Sequence, residues 1–280
     1  MANVEIIKEN GENVAFDSEK LAKSLLKSGA TENVVQKIVV STEKSLFNGI
    51  STKELYKNTF QQLKKYSRVS ASKYSLKKGI LEFGPSSFPF EIYGGELFKH
   101  LGYKVHVGVI IQENCVQHEV DVVAEKDAEH YMVECKFHNM FSTNCSVKLP
   151  LYIQSRFLDI KKQWIKKTRH QHKFHQGWLV NNTRFSSDAI QYGECVGLRL
   201  IGWDYPKNNS LRDIISNAGL YPITCLTTLK KTEKQTLLND HIVLCKQLCE
   251  NPMILIQMGI KKIRMNKIMS DAHNLCNKIL

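Results

Sequence analysis

The stretch Gly84-Pro85-Ser86-Ser87-Phe88-Pro89 divides this chain more clearly than any other segment. Proline lacks an amide proton and fixes φ, and the residue before it is steered away from helical geometry. Two prolines beside a glycine and two serines therefore read as a linker, and the periodicity of apolar residues changes across it.

Before the break, Val4-Glu5-Ile6-Ile7-Lys8 and Asn13-Val14-Ala15-Phe16 read as short strands. Glu9-Asn10-Gly11-Glu12 joins them, and Asn-Gly is a strong hairpin signal. Asp17-Ser18 offers an N-cap to a helix over 18–28, with Leu21, Leu25 and Leu26 on its apolar face and Gly29 at its end. Further helices are predicted at 32–47, from Ser51 with Leu55, Thr59 and Leu63 on one face, and at 69–82. Beyond the break, a helix over 90–101 is followed by strands at 103–112, 117–124 and 130–137. A long basic helix over 151–170 then leads to a strand at 177–181, a helix at 186–195 and a strand at 198–203. That order predicts a mixed sheet flanked by helices. Residues 206–280 show only helical spacing, through Leu226, Leu229, Leu237, Leu238, Leu244 and Leu248, then Leu255, Ile260, Ile263 and Ile268. The expected fold class is α/β and multidomain: an N-terminal hairpin with a helical bundle (1–84), a central mixed sheet (88–205) and an all-helical C-terminus (206–280).

Lys and Arg outnumber Asp and Glu 39 to 27, for a formal net charge of +12. Such an excess favours polyanionic partners, nucleic acid foremost. No apolar run reaches the ~18 residues of a membrane span, and no basic stretch followed by an apolar one opens the chain. A cytoplasmic protein with no membrane partner is expected. The eight cysteines form no CxxC pair, and Cys245 and Cys249 lack a companion pair. Buried reduced thiols are expected rather than zinc ligands.

The chemistry concentrates on two neighbouring strands. Asp121 lies near the end of one, and Glu134-Cys135-Lys136 lies on the next. Side chains alternate along a strand, so Glu134 and Lys136 share a face and Cys135 takes the other. Two carboxylates there suit Mg²⁺ or Mn²⁺, and a lysine beside them suits charge building on a phosphate. Glu119 shares the face of Asp121. Lys161, Lys162, Lys166, Lys167, Arg169, His170, His172 and Lys173 form a basic run around Trp164, read either as a phosphate-contacting helix or as a solvated face. Gln154 and Arg156, just upstream, are further candidates for substrate contact. His170, His172 and His175 have no carboxylate in their setting to complete a metal site.

Several motifs together resemble the PD-(D/E)xK nuclease superfamily, and within it the Mrr-like restriction endonuclease domain. They are Phe90-Glu91, Leu101-Gly102-Tyr103-Lys104-Val105, Glu119-Val120-Asp121-Val122-Val123-Ala124 and Val133-Glu134-Cys135-Lys136, with Gln176-Gly177-Trp178-Leu179-Val180 and Phe185-Ser186-Ser187-Asp188-Ala189 further on. The resemblance covers about residues 88–205, and Val120 stands where the family usually has proline. It implies a restriction-endonuclease-like sheet, catalysis by Glu91, Asp121, Glu134 and Lys136, and metal binding by Asp121, Glu134 and Glu91. Glu96, further along the helix, competes with Glu91 for its place.

Residues 4–82 resemble the ATP-cone, a regulatory nucleotide-binding module, through Val4, Lys8, Gly11, Val14-Ala15-Phe16-Asp17, Lys20-Leu21, Ile50-Ser51-Thr52-Lys53-Glu54-Leu55 and Ala71-Ser72-Lys73-Tyr74-Ser75-Leu76-Lys77. The resemblance implies ATP or dATP as a regulatory ligand, held by Val4, Lys8, Gly11, Phe16 and Lys20. Glu9 replaces one of the family's phosphate-binding cations. No GxxxxGK[ST] motif is present, so nucleotide hydrolysis is not expected. Residues 222–280 resemble tandem helix-hairpin-helix units. Asn239-Asp240-His241-Ile242 marks the first hairpin, which lacks the usual glycine, and Met258-Gly259-Ile260-Lys261-Lys262 marks the second.

These readings lead to a nucleotide-regulated, Mg²⁺-dependent DNA endonuclease that forms homo-oligomers. Gln154, Arg156, Lys162, Lys166, Gly259 and Lys261 are its candidate nucleic-acid contacts. A nucleotide-sensing DNA-binding regulator without catalysis, and an RNA nuclease using the same site, remain open alternatives.

Overall fold

A computed structural model describes residues 4–111, 115–140, 142–168 and 171–277. Arg169 and His170 of the basic run therefore lie outside the described residues. The N-terminal strands β1 (Glu5–Ile7) and β2 (Asn13–Ala15) form the expected antiparallel hairpin. Its turn closes on Gly11, whose φ of +84° is open to glycine without strain. Helix α1 (Ser18–Lys27) begins where Asp17 accepts the Lys20 amide at 3.0 Å. Helix α2 (Glu32–Ser45) follows. The two-residue strand β3 (Ile50–Ser51) then adds parallel to β1, giving the order β2-β1-β3. Ser51 caps α3 (Thr52–Tyr66) by accepting the Glu54 amide at 3.1 Å. The helix expected over 69–82 is two, α4 (Arg68–Tyr74) and α5 (Leu76–Leu81), separated at Ser75. Leu21, Leu25, Val35, Ile38, Leu63 and Ala71 close a core between these helices.

Helix α6 (Phe88–His100) starts two residues earlier than the spacing predicts, because Pro89 is tolerated in a first helical turn. Strands β4 (Lys104–Ile111), β5 (His118–Lys126) and β6 (Glu129–Lys136) form an antiparallel meander. After the short β7 (Asn144–Cys145), helix α7 (Lys148–Lys166) leads to β8 (Phe174–Asn181), which pairs parallel to β6. The short β9 (Arg184–Phe185), α8 (Ser187–Val196) and β10 (Arg199–Ile201) complete a mixed sheet of order β10-β8-β6-β5-β4. Helix α9 (Leu211–Ala218) follows, opened by a Ser210–Asp213 capping box.

Helix α6 lies close against one sheet face. A Cβ on Gly94 would meet the Cys135 Sγ at 2.4 Å, and one on Gly95 would meet a Val107 methyl at 2.9 Å. Helices α7 and α8 cover the other face, where Ile153, Phe157, Ile160 and Trp164 pack with Val123, Met132, Leu179 and Ala189. This is the mixed sheet flanked by helices that the sequence predicts.

A 3₁₀ turn (Ile223–Cys225) precedes α10 (Lys231–Asn239), α11 (Cys245–Glu250), α12 (Met253–Gln257) and α13 (Lys262–Cys276). The chain forms two compact units: Met1–Gly79 with Tyr221–Lys234 and Cys245–Leu280, and Ile80–Leu220 with Gln235–Leu244. The segment 206–280 is thus shared between them. Inside the first unit, Arg68 of α4 clasps Asp271 of α13 through three hydrogen bonds of 3.0–3.3 Å. The Thr224 hydroxyl donates to the Gly79 carbonyl at 2.7 Å. Among the described residues, no helix is long and apolar enough to cross a membrane.

Candidate functional site

The register of the second unit's sheet builds the site. Val122 pairs with Val133, so the next step along the two strands sets Asp121 opposite Glu134. On β4, Gly108 falls between Val107 and Val109, which pair with Val122 and Val120, and so faces Asp121. Its φ of +64° is a left-handed distortion within the ladder, the kind of irregularity that re-aims a neighbouring side chain. The Cys135 amide donates to Asp121 Oδ2 at 2.7 Å and fixes that carboxylate. Lys136, two residues beyond Glu134, is exposed on the same face, while Cys135 is buried toward α6.

Burial pushes the Asp121 carboxyl up to about 7, and the charges of Glu134 and Glu91 add to the rise. The Cys135 amide and Arg156 oppose it. Glu134 is likewise raised, first by burial and then by Glu91, against the pull of Arg156 and Lys136. The three carboxylates that the sequence singles out therefore feel one another. Glu96, the alternative to Glu91, is instead paired with Lys99 at 2.6 Å. Raised carboxylates crowded in a partly buried place are a frequent mark of functional sites.

Among the described residues, no three His, Cys, Asp or Glu side chains are grouped closely enough to cage a metal ion. Glu91 thus acts on Asp121 and Glu134 through its charge and does not complete a three-donor set. What these residues fit is the looser pattern of Mg²⁺, which is commonly held by one or two carboxylates and keeps several waters. Asp121 and Glu134 are the pair that would hold it.

Arg156 does not sit where a surface substrate contact would. It is 8 % exposed, and its Nη1 donates to Glu134 Oε2 at 2.7 Å. Its Nη2 donates to the Glu119 carbonyl. Glu119 itself is exposed, and its backbone oxygen joins the cluster through Arg156. A signal for this existed in the sequence. Arg156 falls in the apolar stripe Ile153, Phe157, Ile160 and Trp164 of α7, and a charge in such a stripe must find a partner. Gln154 is half-buried and Lys162 and Lys166 are exposed. Trp164 and His175 pack together with His130 in a buried aromatic group. Asn182, which no sequence motif marks, accepts from the His138 amide and donates to its carbonyl, both at 2.8 Å. This clamps the chain just beyond Lys136.

In the first unit, Lys8 and Lys20 stand exposed near the hairpin. Lys8 pairs with Glu12 at 3.0 Å and Lys20 with Asp17 at 3.3 Å. The Phe16 amide donates to the Val4 carbonyl at 2.9 Å, joining two more of the candidate nucleotide contacts. In the C-terminal hairpins, Gly259 is exposed with φ +76°, and Lys261 is the exposed cap of α13. His241 takes the left-handed conformation, φ +61°, at the turn that lacks a glycine. Cys249 and Cys276 share a hydrogen bond that lowers the Cys249 thiol.

The chain thus sets a hairpin-and-helix module at its N-terminus before a mixed α/β sheet. The ATP cone domain family matches residues 4–78, which supports regulatory binding of a nucleotide such as ATP or dATP. The AF1548-like, C-terminal family matches residues 221–276. An uncharacterized protein of Archaeoglobus fulgidus is 38 % identical over 168 residues, covering 60 % of this chain and 86 % of that one. The crystal structure of AF1548, a protein of unknown function, superposes with a TM-score of 0.55 at 33 % identity, over 68 % of this chain and 98 % of that one. The chain belongs to the AF1548-like family.

Proposed function

We propose that this protein is a nucleotide-regulated, metal-dependent endonuclease that cleaves DNA phosphodiester bonds in a restriction-endonuclease-like domain. One observation carries the reading: the sheet register sets Asp121 opposite Glu134 with Lys136 on the same face. A Mg²⁺ or Mn²⁺ ion, when bound, supplies a Lewis acid and lowers the pKa of its water. The protein's own residues do the rest. Asp121 is held by the Cys135 amide, which donates to one of its carboxylate oxygens. Glu134 is oriented by Arg156. The exposed Lys136 ammonium neutralises charge gathering on the phosphate. Glu91 adds negative potential that favours positive charge on the pair. Lys162, Lys166 and Gln154 on α7, with Gly259 and Lys261 in the C-terminal hairpin, are the proposed contacts to the DNA backbone, in keeping with the net charge of +12. The ATP-cone would set activity through the oligomeric state of the chain or through access to the site.

Glu134→Ala and Lys136→Ala should each reduce Mg²⁺-dependent cleavage by about 10³-fold or more while DNA binding persists. The assay uses supercoiled, linear and methylated DNA and RNA, with and without ATP or dATP. Cleavage that is unchanged in both variants defeats the assignment, and cleavage of RNA alone reassigns the substrate. The pairing of Arg156 with Glu134 favours a second reading, a nucleotide-sensing DNA-binding regulator with no catalysis. It expects salt-sensitive, nucleotide-modulated binding without cleavage under any divalent metal.

A further inference from the structure

We propose that Arg156 is a positioning residue that competes with a divalent cation for the Glu134 carboxylate, acting as the cluster's internal counter-ion rather than as a contact to nucleic acid. The inference rests on the reading of Asp121 and Glu134 as a metal-holding pair. Three observations carry it. Arg156 is buried on the apolar stripe of α7, where a nucleic-acid backbone does not reach it. It engages one oxygen of Glu134, at 2.7 Å, and gives its other terminal nitrogen to the Glu119 carbonyl, so the fork is split between two acceptors. Its Nε is buried with no hydrogen-bond partner among the described residues.

A split, half-satisfied guanidinium is a weaker clamp than a bidentate one, because both arms of the fork no longer serve one carboxylate. Glu134 is therefore held in orientation, yet its oxygen is contested. A hard cation arriving between Asp121 and Glu134 meets the positive charge of Arg156 at short range, and its affinity is reduced accordingly. The Glu119 carbonyl gives the guanidinium an acceptor to keep when the carboxylate oxygen is yielded.

The test is Mn²⁺ binding to the full-length chain, followed by calorimetry and electron paramagnetic resonance. Arg156→Gln should bind Mn²⁺ about five- to tenfold tighter than wild type, the gain expected when one nearby positive charge is removed. Arg156→Lys, which keeps the charge, should stay within about twofold of wild type. Unchanged or weaker binding by Arg156→Gln overturns the proposal, most directly if the variant instead raises KM for DNA. Should neither wild type nor Arg156→Gln bind Mn²⁺, the metal-holding reading and the competition fall together; equal binding by both defeats the competition alone. Hydrogen exchange on wild type gives a readout that does not depend on the variant folding. Mn²⁺ should raise protection along β6 and lower it in the α7 turn around Arg156, and a rise in both overturns the proposal.

Discussion

Arg68 with Asp271 in the first compact unit and Arg156 with Glu134 in the second are both arginine–carboxylate pairs, and they are built differently. Arg68 meets Asp271 as a fork: Nε and Nη2 together make three hydrogen bonds to both carboxylate oxygens, and the carboxylate is 5 % exposed. Asp271 raises the Arg68 guanidinium further. Arg156 reaches Glu134 with one nitrogen and spends another on a backbone carbonyl. Despite that contact, burial holds the Glu134 carboxyl above its ordinary value. The first pair is satisfied and has a neighbour to hold: it fastens α4 of the nucleotide-sensing module to α13. The second is left partly unsatisfied among carboxylates that repel one another. A fully paired buried charge reads as a clasp, whereas an under-compensated cluster reads as a place kept ready for something positive.

Removing a cation from each pair is the strongest way to break this contrast. Arg68→Ala leaves Asp271 buried without a counter-charge and should destabilise the first unit by about 2–3 kcal/mol, the usual penalty reduced because the Arg68 side chain is partly exposed. Arg156→Gln should cost less, because Glu134 loses one hydrogen bond and takes up a proton readily. Trp164, Trp178 and Trp203 all lie in the second unit. Tryptophan fluorescence therefore follows that unit in urea, while hydrogen exchange at α4 and α13 follows the other. An Arg156→Gln penalty equal to that of Arg68→Ala would erase the distinction.

The next effect sharpens the contrast through pH. Asp121 titrates at about 7 in the folded chain against an ordinary value of 3.8. Between those values the folded chain holds a proton that the unfolded chain has released. Asp121 therefore favours the unfolded chain increasingly as pH rises through that window. The second unit should lose about 1–3 kcal/mol between pH 4 and pH 7, shared with Glu134 because the two are coupled. Asp121→Asn should flatten that slope, as should saturating Mn²⁺ at the upper end. A wild-type slope of zero in tryptophan-monitored unfolding would count against the crowding of these carboxylates.

Much of the site was legible because strand alternation is rigid. The pattern of Glu134 and Lys136 on one face, with Cys135 on the other, follows from period two alone, and a hairpin-length gap placed Asp121 on the adjoining strand. The caps at Asp17 and Ser51 were legible because a short side chain answers a free amide within one turn. Long-range partners were not. The contact of Arg156 with Glu134 depends on how α7 is phased over the sheet, which Ile153, Phe157, Ile160 and Trp164 decide by packing. The same holds for Trp164, which stood among lysines in the sequence yet is core. The clasp between Arg68 and Asp271 spans most of the chain, and no local pattern links them. Strand β3 has only two residues, too few for alternation to declare it, and exists because β1 offers an edge. The split between α4 and α5 and the early start of α6 show the reverse: Ser75 and Pro89 were visible, but their effect depends on their place in the helix.

Lys8 and Glu12 form a third kind of pair, exposed at 44 % and 55 % across the hairpin turn. Their bond lowers the Glu12 carboxyl, but exposed pairs of this sort add little to stability. Lys8→Gln should therefore leave the first unit's unfolding nearly unchanged. Its effect on nucleotide binding should be much larger, because Lys8 is one of few cations on the hairpin and Glu9 stands where the family usually has another. Loss of one charge-assisted phosphate contact predicts about a tenfold weaker affinity for ATP or dATP by calorimetry. Glu12→Gln should move affinity the other way, by releasing Lys8 from its partner on the same turn. A Lys8→Gln chain that binds nucleotide as wild type does would mean that the hairpin does not hold the phosphates, and that Lys20 at the start of α1 must carry them instead.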